Sequence, residues 1–69
     1  MKAYAITNEG ETKYWKFLLT ASKHYAVSYD VIARRSREAE SFEYSGLFVA
    51  RIKVEDAYTL DGSLIKIED

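Results

Sequence analysis

A chain of 69 residues without a single cysteine has to be held together by packing alone. Disulfides, CxxC redox chemistry and thiolate metal sites are excluded at once. A chain so short buries a smaller share of its surface than a long one, so its core must be dense or its stability shared with a partner. Hydrophobic residues make up 48% of the sequence, and six Tyr, three Phe and Trp15 carry much of the area available for burial. The length leaves room for a single domain spanning residues 1–69. No apolar stretch reaches membrane-spanning length and the N-terminus lacks the regions of a signal peptide, so a cytoplasmic protein with no membrane contact is expected.

The net charge of −1 speaks against a dedicated duplex-DNA binder, which carries a strong basic excess. It speaks equally against a DNA mimic, which needs a large acidic one. The distribution carries more. Arg34, Arg35 and Arg37 are clustered, with Lys13, Lys16 and Lys23 upstream and Glu38, Glu40 and Glu43 following at once. Glu55, Asp56, Asp61, Glu68 and Asp69 make the C-terminal third acidic. A patchy surface on a near-neutral chain suits recognition of a partner of mixed chemistry.

Hydrophobic periodicity predicts an α+β domain. Lys2 to Thr7 reads as a short strand ended by Asn8-Glu9-Gly10-Glu11, where Gly10 can take the positive φ of a tight connection. Thr12 to Thr20 puts Trp15, Phe17 and Leu19 on one face at period two, which completes a hairpin. Ala21-Ser22-Lys23-His24 reads as a turn. Tyr25, Val27, Tyr29, Val31 and Ala33 then alternate with Ala26, Ser28, Asp30, Ile32 and Arg34 as a third strand. Ser36 offers an N-cap to a helix over residues 36–45 that docks Ala39 and Phe42, with Gly46 placed to end it in a left-handed conformation. Leu47 to Val54 gives the strongest strand pattern of the chain. Tyr58–Leu60, Asp61-Gly62 and Ser63–Ile67 form a hairpin signature. The expected order is ββ-β-α-β-β, a small antiparallel or mixed sheet of about five strands with one short helix on one face. A helical reading of the centre competes with it. Trp15, Leu18, Leu19 and Ser22 also stand at helical spacing, and neither Gly nor Pro occurs between Gly10 and Gly46.

Catalysis is poorly served. His24 is the only histidine; Ser22 and Asp30 lie near it in sequence, but a triad is defined by geometry and not by adjacency. One His and scattered carboxylates offer no recognised metal-ligand spacing, and three isolated glycines make no phosphate-cradling loop. A non-enzymatic chain with no cofactor and no metal is the expectation.

Binding is better served. Three guanidiniums around Ser36, at the start of a predicted helix, oppose its dipole and could hold phosphate or carboxylate groups beside free amides. The bland alternative has Arg34, Arg35 and Arg37 lying on the sheet and pairing with Glu38, Glu40 and Glu43. Trp15, Phe17, Tyr25, Tyr29, Phe42 and Phe48 are expected in the core, whereas Tyr4, Tyr14, Tyr44 and Tyr58 fall at element ends or on the opposite face. Tyr14, between Lys13 and Lys16, is the leading aromatic candidate, because a ring beside cations suits base stacking with phosphate contact. The candidate partner-binding set is thus Arg34, Arg35, Arg37, Lys13, Tyr14 and Lys16.

The Met1-Lys2-Ala3-Tyr4 start, Ala33-x-x-Ser36-x-x-Ala39, Gly46, the Arg51-Ile52 strand and the Asp61-Gly62 hairpin resemble the layout of small proteins encoded by phages and mobile elements, including some anti-CRISPR proteins. The resemblance covers nearly the whole chain as element order and carries no individual residue. It implies a phage-type inhibitor acting in the host cytoplasm, where it sterically blocks a host protein or ribonucleoprotein complex by occupying surface that would bind nucleic acid. A small nucleic-acid-binding or transcription-modulating protein using the same basic and aromatic residues is the alternative. The C-terminal strand Leu64–Ile67, guarded only by Lys66 and the acidic end, adds the expectation of an open sheet edge able to support a homodimer or strand addition.

Overall fold

Two turns of identical geometry fix the sheet. In the computed structural model, which describes residues 2–53 and 67–68, strand β1 (Lys2–Asn8) folds back on β2 (Glu11–Trp15) through Glu9 and Gly10, at φ 53° and 80°. Ser45 and Gly46 repeat those angles between β3 (Ser41–Tyr44) and β4 (Leu47–Lys53). Two positive φ values in succession mark a type I′ turn, whose twist matches that of the strands it joins. Strand β4 pairs antiparallel with β1 from Lys2↔Lys53 to Asn8↔Leu47. A two-residue strand β5 (Ile67–Glu68) adds parallel to β2, which makes the sheet mixed, in the order β3-β4-β1-β2-β5.

Between β2 and β3 the chain crosses one face of the sheet as two helices, α1 (Leu18–Tyr25) and α2 (Tyr29–Glu38). Ser28 caps α2, accepting from the Val31 amide at 3.4 Å, and Asp30 in its first turn suits the dipole. Helix α1 ends where Ala26 enters the left-handed region at φ 55° and the Val27 amide reaches back to the Ser22 carbonyl at 3.0 Å. Ile6, Trp15, Leu47 and Val49 rise from the sheet to meet Leu18 and Ala21 of α1 and Ile32 and Ala33 of α2. Trp15 is anchored further by its indole N–H, which donates to the Tyr25 hydroxyl at 3.3 Å. None of the described helices is long and apolar enough to cross a membrane.

The α+β class and the five-stranded mixed sheet are as the sequence predicts. The placement of the elements differs: the order is ββ-α-α-β-β-β, with two helices where one was expected. Strand β2 stops at Trp15, Phe17 becomes the N-cap of α1, and the expected turn at Ala21–His24 lies inside that helix. The expected strand Tyr25–Ala33 is the last residue of α1, the interhelix link and the first half of α2. Burial shows why. Ile32, on the polar side of the alternating pattern, is 1% exposed, while Tyr29 on the apolar side is 43% exposed. The buried set Ile32, Ala33 and Ser36 is helical, and docking on Val49 and Ile6 overrides a local period of two. Ser36 is therefore mid-helix and not an N-cap, and residues 41–44 of the expected helix form β3. Gly46 does take positive φ, but in a hairpin. The expected hairpin around Asp61-Gly62, Val54, and the start of the C-terminal strand at Leu64 lie outside the described residues. Its end, Ile67, does sit in an edge strand.

Candidate functional site

The three clustered arginines lie in the C-terminal half of α2, where cations suit the dipole instead of opposing it. They point to three different surroundings. Arg34 pairs with Glu38 one turn on, at 4.0 Å. Arg35 lies over the Tyr44 ring, 5.7 Å from its centroid, and donates to the Glu43 carbonyl at 3.4 Å. Arg37 alone turns to a groove of about 540 Å³ that runs between the start of α1, α2 and the ends of β1 and β4. Lys13 is held by Glu11 at 3.9 Å beside a smaller recess of about 190 Å³ that also takes His24. Tyr14 pairs with Ala5, one position off the Tyr4↔Trp15 pair whose side chains face the helices, so it lies on the other face of the sheet. Of the six residues singled out from the sequence, the fold brings Lys16 and Arg37 to this groove, and Arg34 and Arg35 to a separate recess of about 320 Å³ that also takes Glu38.

The groove is where charge and aromatic surface coincide. Lys2 from β1, Lys16 from the β2–α1 junction, Arg37 from α2 and Arg51 from β4 all line it. Among the described residues none of the four is in an ion pair and no Asp or Glu lines the groove, although Lys2 and Arg51 also border a neighbouring recess that takes Glu40. Sheet register makes this meeting: Tyr4 stands opposite Arg51, and Lys2 opposite Lys53. Tyr4, Phe17 and Tyr29 supply rings, and the Lys16 ammonium lies 5.5 Å from the Phe17 centroid. Phe17, Leu19 and Tyr29 are three of the four large hydrophobic residues that the described part of the fold leaves exposed, and all three are here. A stable fold ordinarily hides such surface or uses it.

Two further polar features open on the same space. Helix α1 begins with no side-chain cap, so the amides of its first turn, at Leu18, Leu19 and Thr20, have no partner within the helix. Ser36, only 5% exposed, lines the groove with a hydroxyl that has no hydrogen-bond partner among the described residues. Among the described residues no fully enclosed side-chain oxygen lacks a partner, so the Ser36 oxygen keeps some exposure, on a residue that lines the groove.

Ser22, His24 and Asp30 do not form a catalytic set. The Ser22 hydroxyl, on a residue only 3% exposed, donates to the Leu19 carbonyl at 2.7 Å. The His24 ring packs against Trp15 and Tyr25, with centroids 5.1 and 4.8 Å away. Lys2, Phe17, Tyr29, Ser36 and Arg51 carried no local signal for the site. Their chemistry is shared only after β1, β4 and the two helices have come together; the exposed Phe17 and Tyr29 look like core in a period-two reading. Comparison with protein-family models, with curated proteins and with solved structures finds no match to this chain.

Proposed function

We propose that this chain is a non-catalytic binding protein whose working surface is the basic and aromatic groove, and that it acts by occupying an anionic part of a host protein or nucleoprotein complex, as a phage-type inhibitor would. The observation that carries this reading is the convergence of four cations that form no ion pair among the described residues on the patch where three of the four exposed large hydrophobic side chains of those residues lie. Uncompensated like charges repel one another and add nothing to folding, so their gathering around exposed rings is best accounted for by a ligand of opposite sign. At a net charge of −1 the chain as a whole does not attract anions, so attraction has to come from a local gathering of cations such as this groove.

Retention on immobilised heparin tests the location of the site. Reversing Lys16 and Arg37 together to Glu should move elution to clearly lower salt. Reversing Lys13 and Arg34, which changes net charge by the same amount outside the groove, should move it much less. Equal shifts would show that diffuse charge, and not this groove, binds anions. In cells with active CRISPR interference, expression of the chain should restore phage plating and the Lys16→Glu, Arg37→Glu form should not. Failure of the unaltered chain to restore plating would remove that host complex as the target.

A further inference from the structure

We infer that the groove grips single-stranded nucleic acid, with a backbone phosphate seated on the Ser36 hydroxyl, the free first-turn amides of α1 and Arg37, and with neighbouring bases stacked on Phe17 and Tyr29. This rests on the reading of the groove as the binding surface and names the chemistry that it takes. A phosphodiester offers several acceptor oxygens in a tetrahedral array. The groove offers donors of the matching kind from separate elements: a hydroxyl on α2, amides at the start of α1, and a guanidinium. The Ser36 hydroxyl is the telling group. It has no hydrogen-bond partner among the described residues, and it sits on a residue that is 5% exposed and lines the groove, where burial without a ligand serves no evident packing purpose.

The rings decide between strands. Phe17 is 53% exposed with the Lys16 ammonium 5.5 Å from its centroid, and Tyr29, 43% exposed, lines the same groove. A base stacks on such a ring only when it has left a duplex, so duplex DNA could use the cations but not the rings. An acidic peptide could likewise use the cations, but its carboxylates would leave the aromatic surface without a matching planar partner. The groove volume of about 540 Å³ suits a short stretch of chain and not a broad duplex face.

Fluorescence anisotropy tests this with a labelled mixed-sequence 15-mer as single strand, the same sequence as duplex, and a polyglutamate peptide of equal length. The single strand should bind tightest, with log K falling against log salt at a slope of about −3 if all four cations meet phosphates. Phe17→Ala should weaken it about tenfold and Ser36→Ala, which keeps the helix and removes only the hydroxyl, also about tenfold. Arg34→Ala, outside the groove, should leave it unchanged. Equal affinity for duplex and single strand together with an unaffected Phe17→Ala would overturn the stacking assignment. Tighter binding of polyglutamate, lost on Arg37→Glu, would make the partner an acidic protein, overturning the inference while the reading of the groove stands. If no probe binds and no groove variant alters heparin retention, both fall.

Discussion

Ile32 and Arg34 stand two positions apart on α2 and stabilise the fold to very different degrees. Ile32 is 1% exposed and packs in the shared core, so Ile32→Ala removes buried methyl and methylene groups and leaves a cavity. A loss of about 2–5 kcal/mol is expected in urea denaturation. Arg34 meets Glu38 at 4.0 Å on an exposed surface, and Arg34→Ala should change stability by less than about 0.5 kcal/mol. A comparable loss at Arg34 would mean that the arginine run is structural. Between these extremes lies Arg35, whose contacts with Tyr44 and the Glu43 carbonyl tie α2 to the edge strand β3. The three arginines that form one cluster in the sequence thus do three different things.

Helix ends explain both what the elements do and how much of them can be read from the sequence. The left-handed positions at Ala26 and Glu9, at φ 55° and 53°, are held by residues that strain there. Ala26→Gly and Glu9→Asn should each raise the denaturation midpoint, by up to about 1 kcal/mol in stability. A fall in either would show that the side chain contributes more than its backbone strain costs. Conversely, Ser28→Ala should cost about 0.5–1 kcal/mol through loss of the α2 cap. Ala26 is also the reason that the break between α1 and α2 left no mark in the sequence: a glycine there would have announced a helix end. Strands β1, β2 and β4 were legible as strands because their residues alternate, and Ile6 is buried as its pattern requires, but the core face of β4 is inverted: Val49 is buried, while Phe48, expected in the core, is 45% exposed. Residues 25–33 were not, because Val27, Val31 and Ala33 fit a period of two by coincidence and only contact with the sheet selects the helical set. The groove was legible only at Lys16 and Arg37, since Lys2 and Arg51 join them through strand pairing that no local pattern encodes.

At the scale of the whole molecule, sheet edges and the groove set how the protein meets others. The Arg51 amide donates to the Glu40 carbonyl at 2.8 Å, so alternation along the antiparallel pair leaves the backbone groups of Ser41 and Glu43 facing outward from β3. Arg35 covers one of them, the Glu43 carbonyl. Arg35→Ala should therefore increase self-association in sedimentation at rising concentration, and an unchanged profile would show that this edge is guarded by other means. The groove itself lies away from that edge, at the end of the sheet where β1 starts and β4 runs out. Its role as the recognition surface is tested most directly by amide shift mapping in two-dimensional NMR as a single-stranded 15-mer is added. The shifts should gather at Lys2, at Phe17 to Thr20, at Ser36 and Arg37, and at Arg51, and they should spare Tyr14, Phe48 and the Glu9–Gly10 turn. Shifts centred on Tyr14 and Phe48 would contradict the account, and no shifts at all would remove single-stranded nucleic acid as the ligand of the groove.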